Sequence, residues 1–305
     1  MEFAFKIATF YQFAELGDIS VIQPKLLSAM LELEVHGSIL LASEGINGTI
    51  AGRDEAIANA LAAISRITGL SGFNPKFSST AGQPFRRMKV RLKKEIVTIG
   101  NVAANPNEKV GTYVDAQDWN SLISAPDVIV IDTRNAYEFG VGTFKGAIDP
   151  QTESFSEFPK WVRKKLNANP KQRIAMFCTG GIRCEKASSF MLNEGFENVF
   201  HLKGGILKYL EVVKPEDSLW QGGCFVFDER VAVGHGLVPT DHTTCHGCLR
   251  PVSAEERKSP KFEDGVCCPT CADGLTEVQK ASNRERQRQV ELAARRGGKH
   301  LGPIK

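Results

Sequence analysis

The first hundred residues alternate between strand-like and helix-like hydrophobic patterns. Leu26, Leu27, Met30 and Leu31, for example, recur at helical spacing. In chain order the pattern predicts a strand at residues 3–10, a helix at 23–34 and a hairpin formed by 38–42 and 49–51. A second helix at 53–69 and a last strand at about 86–99 follow. This β-α-β-β-α-β order is typical of a ferredoxin-like α+β domain, which we expect over residues 1–100.

Turn and helix signals refine this first unit. Pro24 suits the first turn of a helix, residues 44–48 predict the hairpin turn, and Gly69 ends the second helix. In the last strand, apolar residues at 88, 90 and 92 alternate with four cations, which places the cations on one face: Arg87, Lys89, Arg91 and Lys93. With their flanking residues they form a candidate RNA-binding row: Arg86, Arg87, Lys89, Arg91, Lys93 and Lys94. A solvated outer face explains the pattern equally well.

A linker at residues 101–111 separates this unit from a second one at 112–215. There the pattern predicts short Val/Ile-rich strands at 128–132, 173–178 and 199–202. Between and after them it predicts helices at 136–139, 158–166 and 183–194 and another after Gly204 and Gly205. Such alternation predicts a central α/β domain with a parallel sheet. The whole chain is therefore expected to be a multi-domain α/β protein.

Residues 216–279 are Cys-bearing and rich in Gly and Pro, which predicts a small fold without a large core. Cys245 and Cys248 form one Cys-x2-Cys pair, and Cys268 and Cys271 form another. This spacing predicts a zinc-ribbon-like site, and four thiolates leave no open position, so the zinc would be structural. Reduced thiols or a disulfide are the alternatives. Further candidate ligands lie close by in the sequence: Cys267, His242 and His246.

Composition places the chain among ordinary globular proteins, with 42% hydrophobic and 24% charged residues. The sequence contains no secretory signal and no membrane-spanning run, so we expect a cytoplasmic protein. Net charge is only +3, but residues 280–305 carry eight Lys/Arg against two Glu, which leaves −3 for the first 279 residues. This basic C-terminal tail, including Arg295 and Arg296, is either an RNA contact or a solvated helix.

The strongest chemical motif follows the strand at 173–178. Cys178 is followed by Thr179, Gly180, Gly181, Ile182 and Arg183, and a helix begins near Arg183. Two glycines let successive N–H groups converge beside a helix N-terminus, and this positive cup, with Arg183, lowers the pKa of a thiol. We therefore expect a catalytic Cys178 thiolate. Cys184 is either a resolving thiol or a core residue.

Several segments together resemble a rhodanese domain: residues 128–134, Tyr137 and Glu138, Gly146 and Ala147, the Cys178 loop, and residues 201–205. The resemblance implies a catalytic loop cysteine and a supporting role for Asp132, Arg134 and Glu138. Phosphatase relatives of this fold have one more residue between Cys and Arg. The shorter spacing here is that of the sulfurtransferases, which argues against a phosphatase.

Nearly the whole chain resembles the oxygen-dependent tRNA uridine hydroxylase family. The resemblance rests on residues 44–49 (EGINGT), 84–100, the Cys178 loop and 224–230 (CFVFDER). It implies an N-terminal acylphosphatase-like domain, a tRNA substrate contacted at the anticodon, and hydroxylation of the wobble uridine at carbon 5 with molecular oxygen. It implies no membrane and no obligatory protein partner. We see no flavin motif and no iron-binding triad in the sequence.

A direct role for the thiol follows from the chemistry of uracil. Carbon 6 is electrophilic, so addition of the Cys178 thiolate there makes carbon 5 able to attack an oxidant. Two alternatives stay open: a sulfurtransferase that carries a Cys178 persulfide, and an RNA-binding protein with a vestigial rhodanese domain. The intact Cys and Arg of the loop count against the second alternative.

Overall fold

The computed structural model describes residues 5–72, 74–80, 82–101, 103–166, 169–228 and 230–296. Its strands are β1 (Phe5–Phe13), β2 (His36–Ala42), β3 (Gly45–Gly52), β4 (Lys76–Thr80), β5 (Met88–Leu92), β6 (Thr112–Val114), β7 (Val128–Asp132), β8 (Gly142–Phe144), β9 (Arg173–Phe177), β10 (Asn198–Leu202), β11 (Trp220–Gly222), β12 (Cys224–Phe225), β13 (Ala232–Val233), β14 (Thr243–Thr244) and β15 (Pro251–Val252). Its α-helices are α1 (Ile19–Glu32), α2 (Asp54–Thr68), α3 (Ala116–Ile123), α4 (Ala136–Phe139), α5 (Phe158–Lys165), α6 (Ile182–Asn193), α7 (Gly205–Val212) and α8 (Glu277–Arg295).

The N-terminal domain (residues 5–100) is a five-stranded sheet with the order β4-β1-β3-β2-β5. Its first four strands are antiparallel neighbours in the ferredoxin-like arrangement, and β5 pairs in parallel with β2 at the far edge. Helices α1 and α2 cover one face, where Phe10, Ile39 and Ile50 pack with Leu26 and Ile64. Neither α1 nor α2 covers the opposite face, where Tyr11 at one end contacts Glu185 of α6.

The last strand of this domain was predicted incorrectly. The fourth ferredoxin-like strand is β4, which the sequence pattern did not predict, and the predicted strand at 86–99 is reduced to β5 as an added edge strand. Met88 and Val90 are buried as predicted, but Leu92 is 47% exposed because the strand ends there.

Two other boundaries differ from prediction. Helix α1 begins at Ile19 because Asp18 caps it, accepting a 2.9 Å hydrogen bond from the Ser20 N–H; Pro24 therefore lies inside the helix. The predicted hairpin turn at 44–48 is mostly strand, since β3 begins at Gly45. A Cβ at Gly45 would lie 2.1 Å from the Gln12 carbonyl oxygen, so close backbone approach explains this glycine. Phe3 and Ala4 of the predicted first strand lie outside the described residues.

The central domain (residues 112–215) contains the predicted parallel sheet, with the order β6-β10-β9-β7. Predicted bounds for β7 and α4 are confirmed residue for residue. An aromatic cluster fills one side of the sheet, with the rings of Phe144 and Phe177 4.8 Å apart and Trp119, Tyr209 and Trp220 around them. The parallel arrangement brings the carboxyl ends of β7, β9 and β10 to one edge.

The N-terminal and central domains share a buried charged contact. Lys186 of α6 is 1% exposed and pairs with Glu44 of the β2–β3 connection and, at 2.9 Å, with Glu95. The predicted linker is tied down as well, because Asn193 Nδ2 donates a 2.6 Å hydrogen bond to the Ala103 carbonyl. Residues of the N-terminal sheet are thereby held against the first turn of α6.

The C-terminal region (residues 216–296) consists of short strands, turns and α8. Strands β12 with β13 and β14 with β15 form two-stranded antiparallel sheets, and β11 pairs with β8 of the central domain. Thr276 caps α8 in a box with Gln279. Among the described residues, the structure has no helix that is long and apolar enough to cross a membrane.

Candidate active site

Cys178 lies at the carboxyl end of β9, in the loop that leads into α6, and it is 1% exposed. Gly181 has φ +110°, a conformation that side-chain-bearing residues rarely adopt, and this turn aims its N–H at the sulfur, 3.1 Å from Sγ. The loop is supported from behind by α7, where the Ile206 N–H donates to the Cys178 carbonyl at 2.9 Å. The predicted anion cup is therefore built around the sulfur itself.

The surroundings of Cys178 favour its thiolate. Burial opposes ionisation, but the hydrogen bond from the Cys184 thiol, the charge of Arg183 and the N–H groups of Cys184 and Gly181 outweigh it and lower the pKa of Cys178 to about 5. A thiol with this pKa is almost fully ionised at neutral pH. It combines nucleophilicity with protection from bulk water.

Arg183 does not point freely into the loop. Its guanidinium donates two 2.7 Å hydrogen bonds to the carboxylate of Glu138, which is fully buried. Burial opposes ionisation of Glu138, but Arg183 and Arg134 hold its pKa below the usual range. Glu138 thus fixes the orientation of Arg183, and it also accepts a 3.4 Å hydrogen bond from Thr179 of the Cys178 loop.

Asp132 and Arg134 form a second buried pair beside it. Arg134 Nε donates to Asp132 Oδ1 at 2.9 Å, its guanidinium lies 5.2 Å from the centroid of the Trp220 ring, and neither charged side chain is exposed. Thr143 also donates to Asp132, at 3.1 Å. This pair ties the end of β7 to β8.

Two further cysteines lie near the site. Cys184 is fully buried, and its sulfur is 3.4 Å from Thr133 Oγ1. Burial and the negative charge of Cys178 raise the pKa of Cys184 well above its usual range, so it stays a protonated donor. Burial likewise raises the pKa of Cys224 to about 12. Cys178 is therefore the ionised thiol of this group.

The N-terminal domain covers the loop with residues that sequence reasoning missed. Lys76 of β4 donates to the carbonyls of Gly180, at 3.3 Å, and Gly204. Tyr11 of β1 donates a 2.8 Å hydrogen bond to Glu185 in the first turn of α6. The alternation in residues 76–80 is a weak strand signal that would have drawn attention to Lys76, but no sequence signal joins Tyr11 to Glu185.

The predicted basic row flanks the face of the N-terminal sheet that α1 and α2 leave uncovered. Register places Lys76, Thr9, Thr49, Ser38 and Lys89 side by side across all five strands. Four strand spacings separate the two lysines, roughly 19 Å. Among the described residues, no carboxylate lies within ion-pair distance of the side chains of the row: Arg86, Arg87, Lys89, Arg91, Lys93 and Lys94.

The four cysteines of the C-terminal region converge as their spacing predicted. Their sulfur atoms all lie within 4.8 Å of one another, with Cys245 to Cys271 at 3.8 Å and Cys248 to Cys268 at 3.7 Å. A tetrahedral ion with metal–sulfur bonds of about 2.3 Å requires sulfur–sulfur edges of about 3.8 Å, so the cluster has the dimensions of a zinc site. The other candidates, Cys267, His242 and His246, lie outside this group.

Part of the basic tail makes ion pairs and hydrogen bonds with the rest of the C-terminal region. Arg284 pairs with Glu263 at 2.6 Å, and Arg286 donates to the His246 carbonyl at 2.9 Å. Arg295 ends α8 and Arg296 caps it, and both are exposed. Residues 297–305 of the predicted tail lie outside the described residues.

Comparison with family models divides the chain in the same way. The model of the UPF0176 acylphosphatase like domain matches residues 5–96, and the model of the Rhodanese-like domain matches residues 115–211. Together they cover the N-terminal sheet and three of the four strands of the parallel sheet, including β9, which leads to Cys178.

Curated relatives extend the similarity over nearly the full length. The proteins from Agrobacterium fabrum and Rhizobium leguminosarum bv. trifolii, both named tRNA uridine(34) hydroxylase, are 53% identical over 98% of this chain and over 95% and 96% of their own lengths. Among solved structures, the rhodanese-like domain of an Anabaena protein is 20% identical over 36% of this chain and 78% of that one, with a TM-score of 0.31. An acylphosphatase from Coxiella burnetii is 12% identical over 29% of this chain and 92% of that one, with a TM-score of 0.23.

Proposed function

This chain belongs to the tRNA uridine(34) hydroxylase family, and we propose that it hydroxylates carbon 5 of uridine 34 in tRNA through the thiolate of Cys178. The observation that carries this proposal is the state of that sulfur. Cys178 is enclosed by the Gly181 N–H, the Cys184 thiol and Arg183, which together lower its pKa to about 5. A site that only supported the fold would not need an ionised sulfur.

The thiolate supplies the reactivity that uracil lacks. Carbon 5 of uracil is a weak nucleophile, whereas carbon 6 accepts nucleophiles because it is conjugated to the carbonyl at carbon 4. Addition of the Cys178 sulfur to carbon 6 gives an enolate that reacts at carbon 5 with an electrophilic oxygen donor. Loss of the carbon 5 proton and departure of the thiolate then restore the ring as 5-hydroxyuridine.

We assign molecular oxygen as the source of the new oxygen atom: overall, one atom joins carbon 5 and the other leaves as water, with two electrons and two protons from an external reductant. This makes the enzyme an oxygen-dependent oxidoreductase. The family resemblance supports this assignment. Among the described residues, the clustered metal-ligating side chains are the four cysteines of the C-terminal region, far along the chain from the Cys178 loop.

The basic row and the sheet face that α1 and α2 leave uncovered provide a surface for the anticodon arm. The basic row carries positive charge that no described carboxylate neutralises. The side chains that lie side by side across the sheet, including Thr9, lead from Lys89 to Lys76, whose ammonium reaches the Cys178 loop. Phosphates bound along this path would bring a single-stranded nucleotide toward the sulfur. Arg295 and Arg296 extend the positive charge, and a tRNA substrate places the enzyme in the cytoplasm.

Zinc bound by the four cysteines would hold the C-terminal region together. Cys245, Cys248, Cys268 and Cys271 fit a closed tetrahedral site, which has no position for a reacting water. The ion would supply folding free energy to a region of two-residue strands.

Nucleoside analysis separates hydroxylation from sulfur transfer. We would compare tRNA from cells that lack this protein with tRNA from cells that carry it, under labelled oxygen gas. The proposal predicts labelled 5-hydroxyuridine at position 34 only when the protein is present. A thiolated uridine in its place, with no oxygenated product, would establish the sulfurtransferase instead.

A further inference from the structure

The Cys178 loop is flanked by two carboxylates in opposite environments. Glu138 is fully buried and bonded twice to Arg183, which holds its pKa low. Glu185, in the first turn of α6, has no cation within ion-pair distance among the described residues and instead accepts a 2.8 Å hydrogen bond from the Tyr11 hydroxyl. Of these two carboxylates, Glu185 is therefore the one able to exchange a proton.

Glu185 lies where the two domains meet, in the helical turn that directly follows the Cys178 loop. Burial and the negative charge of Cys178 raise the pKa of Glu185, while hydrogen bonds from Tyr11 and Tyr113 act in the opposite direction. Its titratable neighbours from β1, β6 and the loop are thus Tyr11, Tyr113 and Cys178. Two carboxyl groups whose pKa values are moved apart are a recurring feature of acid–base sites.

The proposed reaction needs a base that the chemistry described so far does not provide. Once oxygen is attached to carbon 5, the hydrogen on the same carbon must leave before the ring becomes aromatic again. The sulfur of Cys178 is bonded to carbon 6 at that stage, so it is not available as the base. Arg183 is a cation bonded to Glu138, and Lys76, although burial lowers its pKa, donates its N–H groups to the carbonyls of Gly180 and Gly204.

We propose that the Glu185 carboxylate removes the carbon 5 proton in the step that releases the product. The C5–H bond breaks and the proton forms an O–H bond with Glu185. The electron pair of the C5–H bond becomes the C5=C6 double bond, and the C6–S bond breaks with its pair returning to sulfur as the Cys178 thiolate. This step needs no oxidant, and it rests on the thiolate addition of the proposed function.

Glu185→Gln tests the step because it keeps the shape of the side chain and an oxygen that accepts from Tyr11. The addition and the oxygenation remain possible, but the adduct is no longer released. In cells that lack the native protein, this variant should lower 5-hydroxyuridine about 100-fold or more. It should also accumulate a denaturation-resistant protein–tRNA complex, which mass spectrometry maps to Cys178 and an oxygenated uridine 34. Glu185→Asp should restore part of the product, and Glu55→Gln, a change on the exposed start of α2, should behave as wild type.

The outcomes distinguish this step from the function itself. Wild-type product levels in Glu185→Gln would overturn the inference, and so would loss of product without a covalent complex in a variant that still binds tRNA. The second result would make Glu185 only a bridge to Tyr11. Hydroxylation by Cys178→Ser would instead overturn the thiolate mechanism, whatever Glu185 does.

Discussion

Arg183 and Glu138 face each other across the Cys178 loop with two parallel 2.7 Å hydrogen bonds, one to each carboxylate oxygen. The arginine of the loop is therefore held in place by a residue that lies 45 positions earlier in the chain. Its charge acts on the sulfur from a fixed position. The pair links the stability of the central domain to the chemistry of Cys178.

Removing one partner of this buried pair should be costly. Glu138→Gln should lower the free energy of unfolding by about 3 to 5 kcal/mol, because the buried Arg183 would lose the carboxylate that accepts both of its short hydrogen bonds. The matched control is Glu194→Gln, which breaks a similar two-bond pair with Arg163 on the surface and should leave stability nearly unchanged. Urea denaturation measures both. Equal effects in the two variants would contradict the structural role of the Glu138–Arg183 pair.

The thiolate of Cys178 should persist to mildly acidic pH. The ultraviolet thiolate absorbance that is lost in Cys178→Ser should titrate with a midpoint at about pH 5, so the sulfur is ionised above that pH and protonated below it. Arg183→Ala and Cys184→Ala should each move the midpoint upward, because one removes a positive charge and the other a hydrogen-bond donor. A wild-type midpoint near that of an ordinary thiol would refute this description of the site.

Local signals allowed the loop and the metal ligands to be predicted. Cys178, the two glycines and Arg183 adjoin in the chain, and so do the members of each cysteine pair. The strand β4 was missed because its five residues contain one large apolar side chain, Phe77, which is half exposed at a sheet edge. The contact of Tyr11 with Glu185 joins residues 174 positions apart in two domains. Such contacts depend on domain packing, which periodicity does not encode.

Purified protein should contain close to one zinc ion per chain. Cys268→Ser should release the metal and make the C-terminal region sensitive to protease, because binding at such a site contributes directly to folding. Cys267→Ser is the matched control, since that cysteine is adjacent in sequence but outside the cluster. Metal analysis and limited proteolysis give the readout. A metal-free wild type with a protease-resistant C-terminal region would exclude a structural zinc site.

Charge reversal of Arg87, Lys89 and Arg91 should weaken tRNA binding and flatten its salt dependence. Three lost phosphate contacts should reduce the slope of log Kd against log salt by about 2 to 3. Reversing Lys160, Lys164 and Lys165 on the exposed face of α5 changes the same total charge and should alter the slope less. Reversal of Arg295 and Arg296 should reduce the salt slope less than reversal of the basic row does and more than reversal of the α5 lysines does. If both triple variants bind alike, the row is only a solvated surface.

The central claim is that an ionised Cys178 sulfur forms 5-hydroxyuridine at position 34. Serine nearly matches cysteine in size but ionises far less readily, so Cys178→Ser should fold and bind tRNA without modifying it. The decisive measurement is labelled oxygen in uridine 34 of tRNA from cells that carry either wild type or Cys178→Ser, with tRNA affinity measured on both purified proteins. We predict label with wild type, none with Cys178→Ser, and equal affinities. Full labelling by Cys178→Ser would contradict the account.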